Sequence, residues 1–359
     1  MNLWQAFAFA HLLTVNPLLH HTEVFTVNSG DAAPTSAWQA QAELFDQNIY
    51  PRLIDFLYSN QKAVIPEVSL FFSPNLRGEL YKGWEDAEFW NHYHQNVIAI
   101  ADDLDGASFS VVAIHEMQHL FNEISKRESG TREEKWLDEG LSELLEWRMT
   151  GLFPSKLVDS VFLSGEIENL SKWPDEETSP QKNYGQSFLF IYYLYQHFGQ
   201  DAFLRAEILN PTAGWAGLIA TLKNLNPEAD PNSLAPENLF LSFSLSLAVN
   251  SKIAGIHRQY SISGPAFENE LNNRKISARF FSTQSKNEKL KPLSARFYRL
   301  DVSGCVVIPA VPGVQVFLAT FPLAGAVTIR EIKKEESICA PENSALSTEL
   351  ILVNDSIKL

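Results

Sequence analysis

The chain has 359 residues, 45% hydrophobic and 20% charged, which excludes a small cross-linked scaffold and a mostly disordered chain and leaves room for roughly two domains. Its 28 Lys plus Arg against 43 Asp plus Glu give a net charge of −15, so the molecule repels a phosphate backbone and nucleic acid is not an expected partner. Two cysteines, Cys305 and Cys339, rule out a four-cysteine zinc site and a disulfide framework, leaving one late disulfide open.

No stretch approaches the ~18 consecutive apolar residues of a membrane span, so no transmembrane segment is expected. Residues 1–29 form an N-terminal segment. Met1 to Leu19 is apolar-rich, yet no Lys or Arg precedes Arg52, so the basic start of a secretory signal is missing. A buried first helix is the preferred reading there, with a trimmed or mis-started signal peptide as the alternative. Ser29 to Ser36 is rich in breakers, and from Ala37 to Ser59 apolar residues recur at helical spacing, predicting a helix pair or one helix interrupted near Pro51. Ala63 to Phe72 and Asn96 to Ala101 are short β-branched apolar runs and read as strands, separated by an aromatic segment from Tyr81 to His94.

From Ser108 to Lys126 the apolar period becomes about 3.6, which predicts a largely buried helix. Thr131-Arg132-Glu133-Glu134 fits a Ser/Thr-x-x-Glu capping box, opening a further helix that ends near Gly151 and Pro154. Helical pattern continues over Gly185 to Phe198, Ala202 to Leu225 and Pro236 to Ala254. After Ile276 the texture changes to strand-length runs, from Arg296 to Val302 through Thr348 to Val353, read as a small β-sandwich-like accessory domain over 276–359.

The chemistry concentrates in His115-Glu116-Met117-Gln118-His119, a His-Glu-x-x-His pattern inside a predicted helix. Positions i and i+4 share a helix face, so His115 and His119 can offer two imidazoles to one ion, with Glu116 beside them as a general base acting on water. A catalytic zinc needs a third protein ligand and an open fourth position. Glu139, early in the next helix in Trp136-Leu137-Asp138-Glu139-Gly140, can return to the histidine face across a short connection. Glu143, one turn further, shares that face and can accept the other ring N–H of a ligating histidine.

His-Glu-x-x-His followed by Trp-Leu-Asp-Glu-Gly resembles the gluzincin metallopeptidases, which include thermolysin and the aminopeptidase N type. HEMQHLF, WLDEGLSE and NYGQSFLFIYYL together look most like the hyicolysin-like peptidase family, over residues 95–200. The resemblance implies zinc held by His115, His119 and Glu139, with Glu116 as general base and proton shuttle. It supports Glu143 as the accepting carboxylate, although Asp138 stands where thermolysin has Asn and Glu143 where it has Asp. Tyr184, in Tyr184-Gly185-Gln186-Ser187, is similar to the phenol that stabilises the oxyanion in aminopeptidase-type members; Ser187 stands in place of their Gly, and packing is the competing role. His197 and His257 are alternatives for that donor. The resemblance also implies a peptide-binding sheet edge at Asn96 to Ala101, against an ordinary central strand, and an extracytoplasmic or secreted location.

Asp102, Asp103 and Asp105 with Gly106 read as a calcium loop or, since the downstream Glu of an EF-hand is absent, more simply as a solvated turn. His92 and His94 read as core or cleft wall before a second metal pair. The expectation is therefore an α+β fold: a zincin-like (thermolysin-like) domain over 30–260 with a largely helical C-terminal half, then the small β-rich domain. The expected function is zinc-dependent endopeptidase action on peptide or protein substrates. A Gly-x-Met-Glu-Asn type of amine anchor is missing upstream of His115, which argues against an aminopeptidase. The alternatives are a catalytically silent or metal-free binding protein and a purely structural zinc with a fourth protein ligand.

Overall fold

Short apolar runs of the first hundred residues pair into one sheet. The computed structural model describes residues 10–12, 22–27, 36–58, 68–73, 96–101, 104–173, 181–248, 279–280, 294–299, 305–307, 315–321, 328–331, 337–339 and 347–354. The Tyr81 to His94 segment with His92 and His94, the pair Asp102 and Asp103, and His257 lie outside them. Strands β1 (Ala10–Leu12), β2 (Thr22–Val27), β3 (Val68–Ser73) and β4 (Val97–Ala101) take the order β1-β2-β3-β4. The β1–β2 pair is antiparallel and the other two are parallel, with Val24 opposite Leu70 and Leu70 opposite Ile98. All five residues of β4 are buried, as continuous apolar strands are when a parallel sheet is covered on both faces. Among the described residues β4 is a terminal strand, paired with β3 alone.

Two features of this sheet depart from the sequence reading. Ala10–Leu12, expected within a first helix, is a strand laid antiparallel on β2, because pairing an open sheet edge outweighs local helical pattern. Strand β2 was not anticipated at all, although Thr22, Val24, Thr26 and Val27 carry β-branched character.

Helices α1 (Ser36–Leu44) and α2 (Tyr50–Tyr58) are joined by a π-helical turn, Phe45–Ile49, so the expected interruption is a widened turn and the chain stays helical. The Tyr50 amide donates to the Phe45 carbonyl just before Pro51, whose ring nitrogen has no proton to give. Helix α3 spans Gly106–Arg127 and packs on β4; helix α4 spans Lys135–Thr150 and ends at Gly151, whose φ of 75° suits glycine.

Helix α5 (Ser155–Ser164) was missed in the sequence, although Leu157, Val158, Val161 and Phe162 recur at helical spacing between Pro154 and the left-handed Gly165. It packs along α6 (Gln181–His197). Gly185 makes this approach possible: a Cβ there would collide with the Leu157 carbonyl. Within α6, burial and the neighbouring Tyr195 push the Tyr192 phenol well above its ordinary range, so its ring serves as core. Helices α7 (Asp201–Ile208), α8 (Gly214–Leu225) and α9 (Pro236–Ala248) follow.

The remaining strands are β5 (Glu166–Ile167), β6 (Arg279–Phe280), β7 (Ser294–Arg299), β8 (Cys305–Val307), β9 (Gln315–Phe321), β10 (Thr328–Glu331), β11 (Ser337–Cys339) and β12 (Ser347–Asn354). They form a sheet ordered β10-β9-β12-β7-β5, with β6 on β7, and a separate β8–β11 ladder. The large sheet borrows β5 from the connection between α5 and α6, where Glu166 opposes Arg296 and their side chains pair at 3.3 Å. The chain divides into two compact units, and the division runs through α4: residues 145–152 group with 1–132, and residues 133–144 with 153–207. Many helices together with short strands are compatible with an α+β class.

Candidate metal centre

Asp105 begins the first half of the site. Its backbone is extended and its carboxylate accepts the Ser108 amide N–H at 2.7 Å, capping α3. That bond, helped by the Ala107 amide, holds the Asp105 carboxyl below its usual range. The aspartate considered for a calcium loop is thus a helix cap. From this start α3 buries Phe109, Ala113, Met117, Leu120 and Phe121, each 0% exposed. At about 1.5–3 kcal/mol per large apolar side chain, this fixes the rotation of the helix. That rotation sets His115 and His119 on one face, ring centroids 4.9 Å apart and nearly perpendicular.

The far end of α3 is tied down by a fully buried Lys126, whose ammonium donates to Asn122 Oδ1 and, at 2.9 Å, to the Asn210 carbonyl. The expected capping box does not form. Thr131 bonds to Ser129 and the Pro211 carbonyl, and α4 starts at Lys135, with the Glu134 carbonyl accepting the Leu137 and Asp138 amides. Glu134, the acid of that box, instead accepts the Trp136 indole N–H at 2.5 Å, while Glu133 accepts the Gly214 amide at 2.6 Å, so other partners outcompete the local cap.

Helix α4 buries Trp136, Leu137, Leu141, Leu144 and Leu145 at 1% exposure or less. Gly140 lets α6 approach: a Cβ there would stand 2.7 Å from Ile191 Cγ1 and 3.0 Å from the Ser187 carbonyl oxygen. The glycine of the Trp-Leu-Asp-Glu-Gly motif therefore sets the seating of the turn that carries Glu139.

His115, His119 and Glu139 come together, their candidate ligand atoms all within 4.8 Å of one another. His115 and Glu139 are buried and His119 half-buried. Two imidazoles from one helical turn and one carboxylate from the next helix are a donor set that can hold a divalent metal ion. The electrostatics agree. Glu116, Glu139 and Glu143 are 2%, 6% and 8% exposed, and carboxylates withdrawn from water beside imidazoles favour a cation among them.

Glu143 joins a second grouping with His115 and Glu146, again within 4.8 Å. Glu146 was missed in the sequence. Its Oε2 lies 3.6 Å from His115 Nδ1. It stands one turn beyond Glu143 and two beyond Glu139, so the face that named Glu143 also contains it. Tyr184 sits in the first turn of α6, half-buried, its ring edge-on to Trp173 with centroids 5.0 Å apart. His197 lies in the last turn of α6 against Tyr193.

No protein-family profile matches this chain, and no curated protein does. Among the described residues, no helix is long and apolar enough to cross a membrane.

Proposed function

We propose that the chain is a zinc-dependent endopeptidase of the gluzincin type with a zincin-like catalytic domain. The observation that carries this reading is the convergence of His115, His119 and Glu139 from two separate sequence segments. Zinc held there supplies Lewis acidity, acidifying water toward a pKa of about 7 and polarising a carbonyl.

The protein's own residues do the rest. Glu116 follows His115 directly on α3 and is almost fully buried; its carboxylate takes the proton from the attacking water and returns it to the leaving amine. Glu146, its Oε2 3.6 Å from His115 Nδ1, and Glu143, grouped with both, are the carboxylates that can orient the His115 ring. Strand β4, terminal among the described residues and leading into α3, offers backbone groups along which an extended peptide lies. Tyr184, its ring edge-on to Trp173, is the neutral donor assigned to the developing oxyanion by the family resemblance. An extracytoplasmic or secreted location is part of this reading, supported by the same resemblance alone.

Casein digestion by the purified chain, with and without a chelator, tests the reading. Digestion that stops with chelator, returns with zinc and is absent in Glu116→Gln supports it. A zinc-loaded chain that cleaves nothing supports instead a catalytically silent relative. Equal digestion by wild type and Glu116→Gln removes Glu116 from the mechanism.

A further inference from the structure

The two cysteines of the chain stand directly opposite each other. In the β8–β11 ladder the register pairs Ser337 with Val307, Ile338 with Val306 and Cys339 with Cys305. Directly opposed residues of an antiparallel ladder have Cα atoms about 4.5 or 5.5 Å apart, depending on whether they exchange hydrogen bonds. Both spacings fall inside the roughly 4.4–6.8 Å over which a disulfide closes without moving the backbone. Opposed residues also share a face of the ladder, whereas a slip of one position would put the pair on opposite faces.

The ladder itself needs support. Among the described residues β8 and β11 pair only with each other, over three positions, and so short a two-stranded ribbon is marginal by itself. Its strands are also far apart in the chain: β9 and β10, which belong to the large sheet, lie between them. Bringing the ends of such a long excursion together costs loop-closure entropy that three residue pairs recover poorly. A covalent link at Cys305 and Cys339 removes that cost from folding by restricting the unfolded chain.

We propose that Cys305 and Cys339 form a structural disulfide that locks β8 to β11 and encloses β9 and β10. The bond forms by two thiol–disulfide exchanges with an external disulfide, either glutathione disulfide or the disulfide of an oxidoreductase. The first joins one cysteine sulfur to the reagent and releases one reagent thiol. The second joins the two cysteine sulfurs and releases the other, so both cysteines lose a proton and two electrons pass to the reagent. Such a bond persists in an oxidising compartment, and the inference stands whether or not the chain is a peptidase.

The test is made on the full chain produced in an oxidising compartment. The unfolded protein is alkylated without reductant, digested and mapped by mass spectrometry. A fragment containing Cys305 joined to one containing Cys339, separating on reduction, is the expected result. Complete alkylation of both cysteines, or a linkage between two chains, overturns the proposal. Reduction is expected to lower the thermal midpoint by at least ~4 °C, and an unchanged midpoint overturns the structural role. The Cys305→Ala, Cys339→Ala double variant should melt with the reduced protein and be insensitive to reductant; a double variant as stable as the oxidised wild type contradicts the proposal.

Discussion

His115 Nδ1 lies 3.6 Å from Glu146 Oε2, joining the first residue of the His-Glu-x-x-His motif to a carboxylate in the last part of the following helix. The separation is slightly long for a hydrogen bond. A carboxylate beside Nδ1 would leave Nε2 as the nitrogen offered to a metal. Removing this partner in Glu146→Ala should lower metal affinity roughly 10–100-fold without removing a ligand, and Glu146→Gln should recover part of the loss. Competition titration against a chromophoric chelator reads the difference; an unchanged affinity would assign the role to Glu143 alone.

Gly140 offers a test of sign. In an exposed helix interior, Gly→Ala stabilises by about 1 kcal/mol. At residue 140 the added Cβ meets Ile191 and the α6 backbone at Ser187, so Gly140→Ala should destabilise by about 1–3 kcal/mol and Gly140→Val by more. Urea denaturation measures both, and a more stable Gly140→Ala protein would show that α6 gives way without cost.

Much of this site was readable in the sequence, and the reason is local. The spacing of His115 and His119, and of Glu139 and Glu143, is a helix-face relation that holds wherever the helix packs. What was hidden depends on partners far along the chain. The Thr131 cap lost to the Pro211 carbonyl, strand β1 formed because β2 had an open edge, and β5 joined a sheet assembled mainly from strands after residue 279. None of these partners lies within the window that sets local propensity. Helix α5 and Glu146 differ from these, since the apolar spacing of the first and the face position of the second were present in the sequence.

Asp105 links the start of α3 to pH. Its folded pKa is depressed by the Ser108 bond, so its contribution is complete above the ordinary carboxylate pKa of about 4 and is lost as pH falls through the lower folded value. Wild type should therefore exceed Asp105→Ala in thermal midpoint at neutral pH, and the gap should close only under more acid conditions. A gap that is constant across the acid range would mean that the ionised carboxylate does not cap the helix.

Lys126 anchors the other end of that helix. Replacing it by Met keeps much of its volume but leaves Asn122 Oδ1 and the Asn210 carbonyl without its ammonium, for an expected loss of about 1–3 kcal/mol. Chemical denaturation of Lys126→Met measures the loss, and a variant as stable as wild type would show that water replaces the ammonium freely.

The central claim is that one divalent ion is held jointly by His115, His119 and Glu139. Zinc content of the dialysed protein by atomic absorption, on wild type and Glu139→Ala side by side, tests it most directly. One equivalent of zinc in wild type and a much smaller fraction in Glu139→Ala, with helical content by circular dichroism unchanged, is the expected result. Wild type that binds no zinc, or Glu139→Ala that retains the full equivalent, would contradict it.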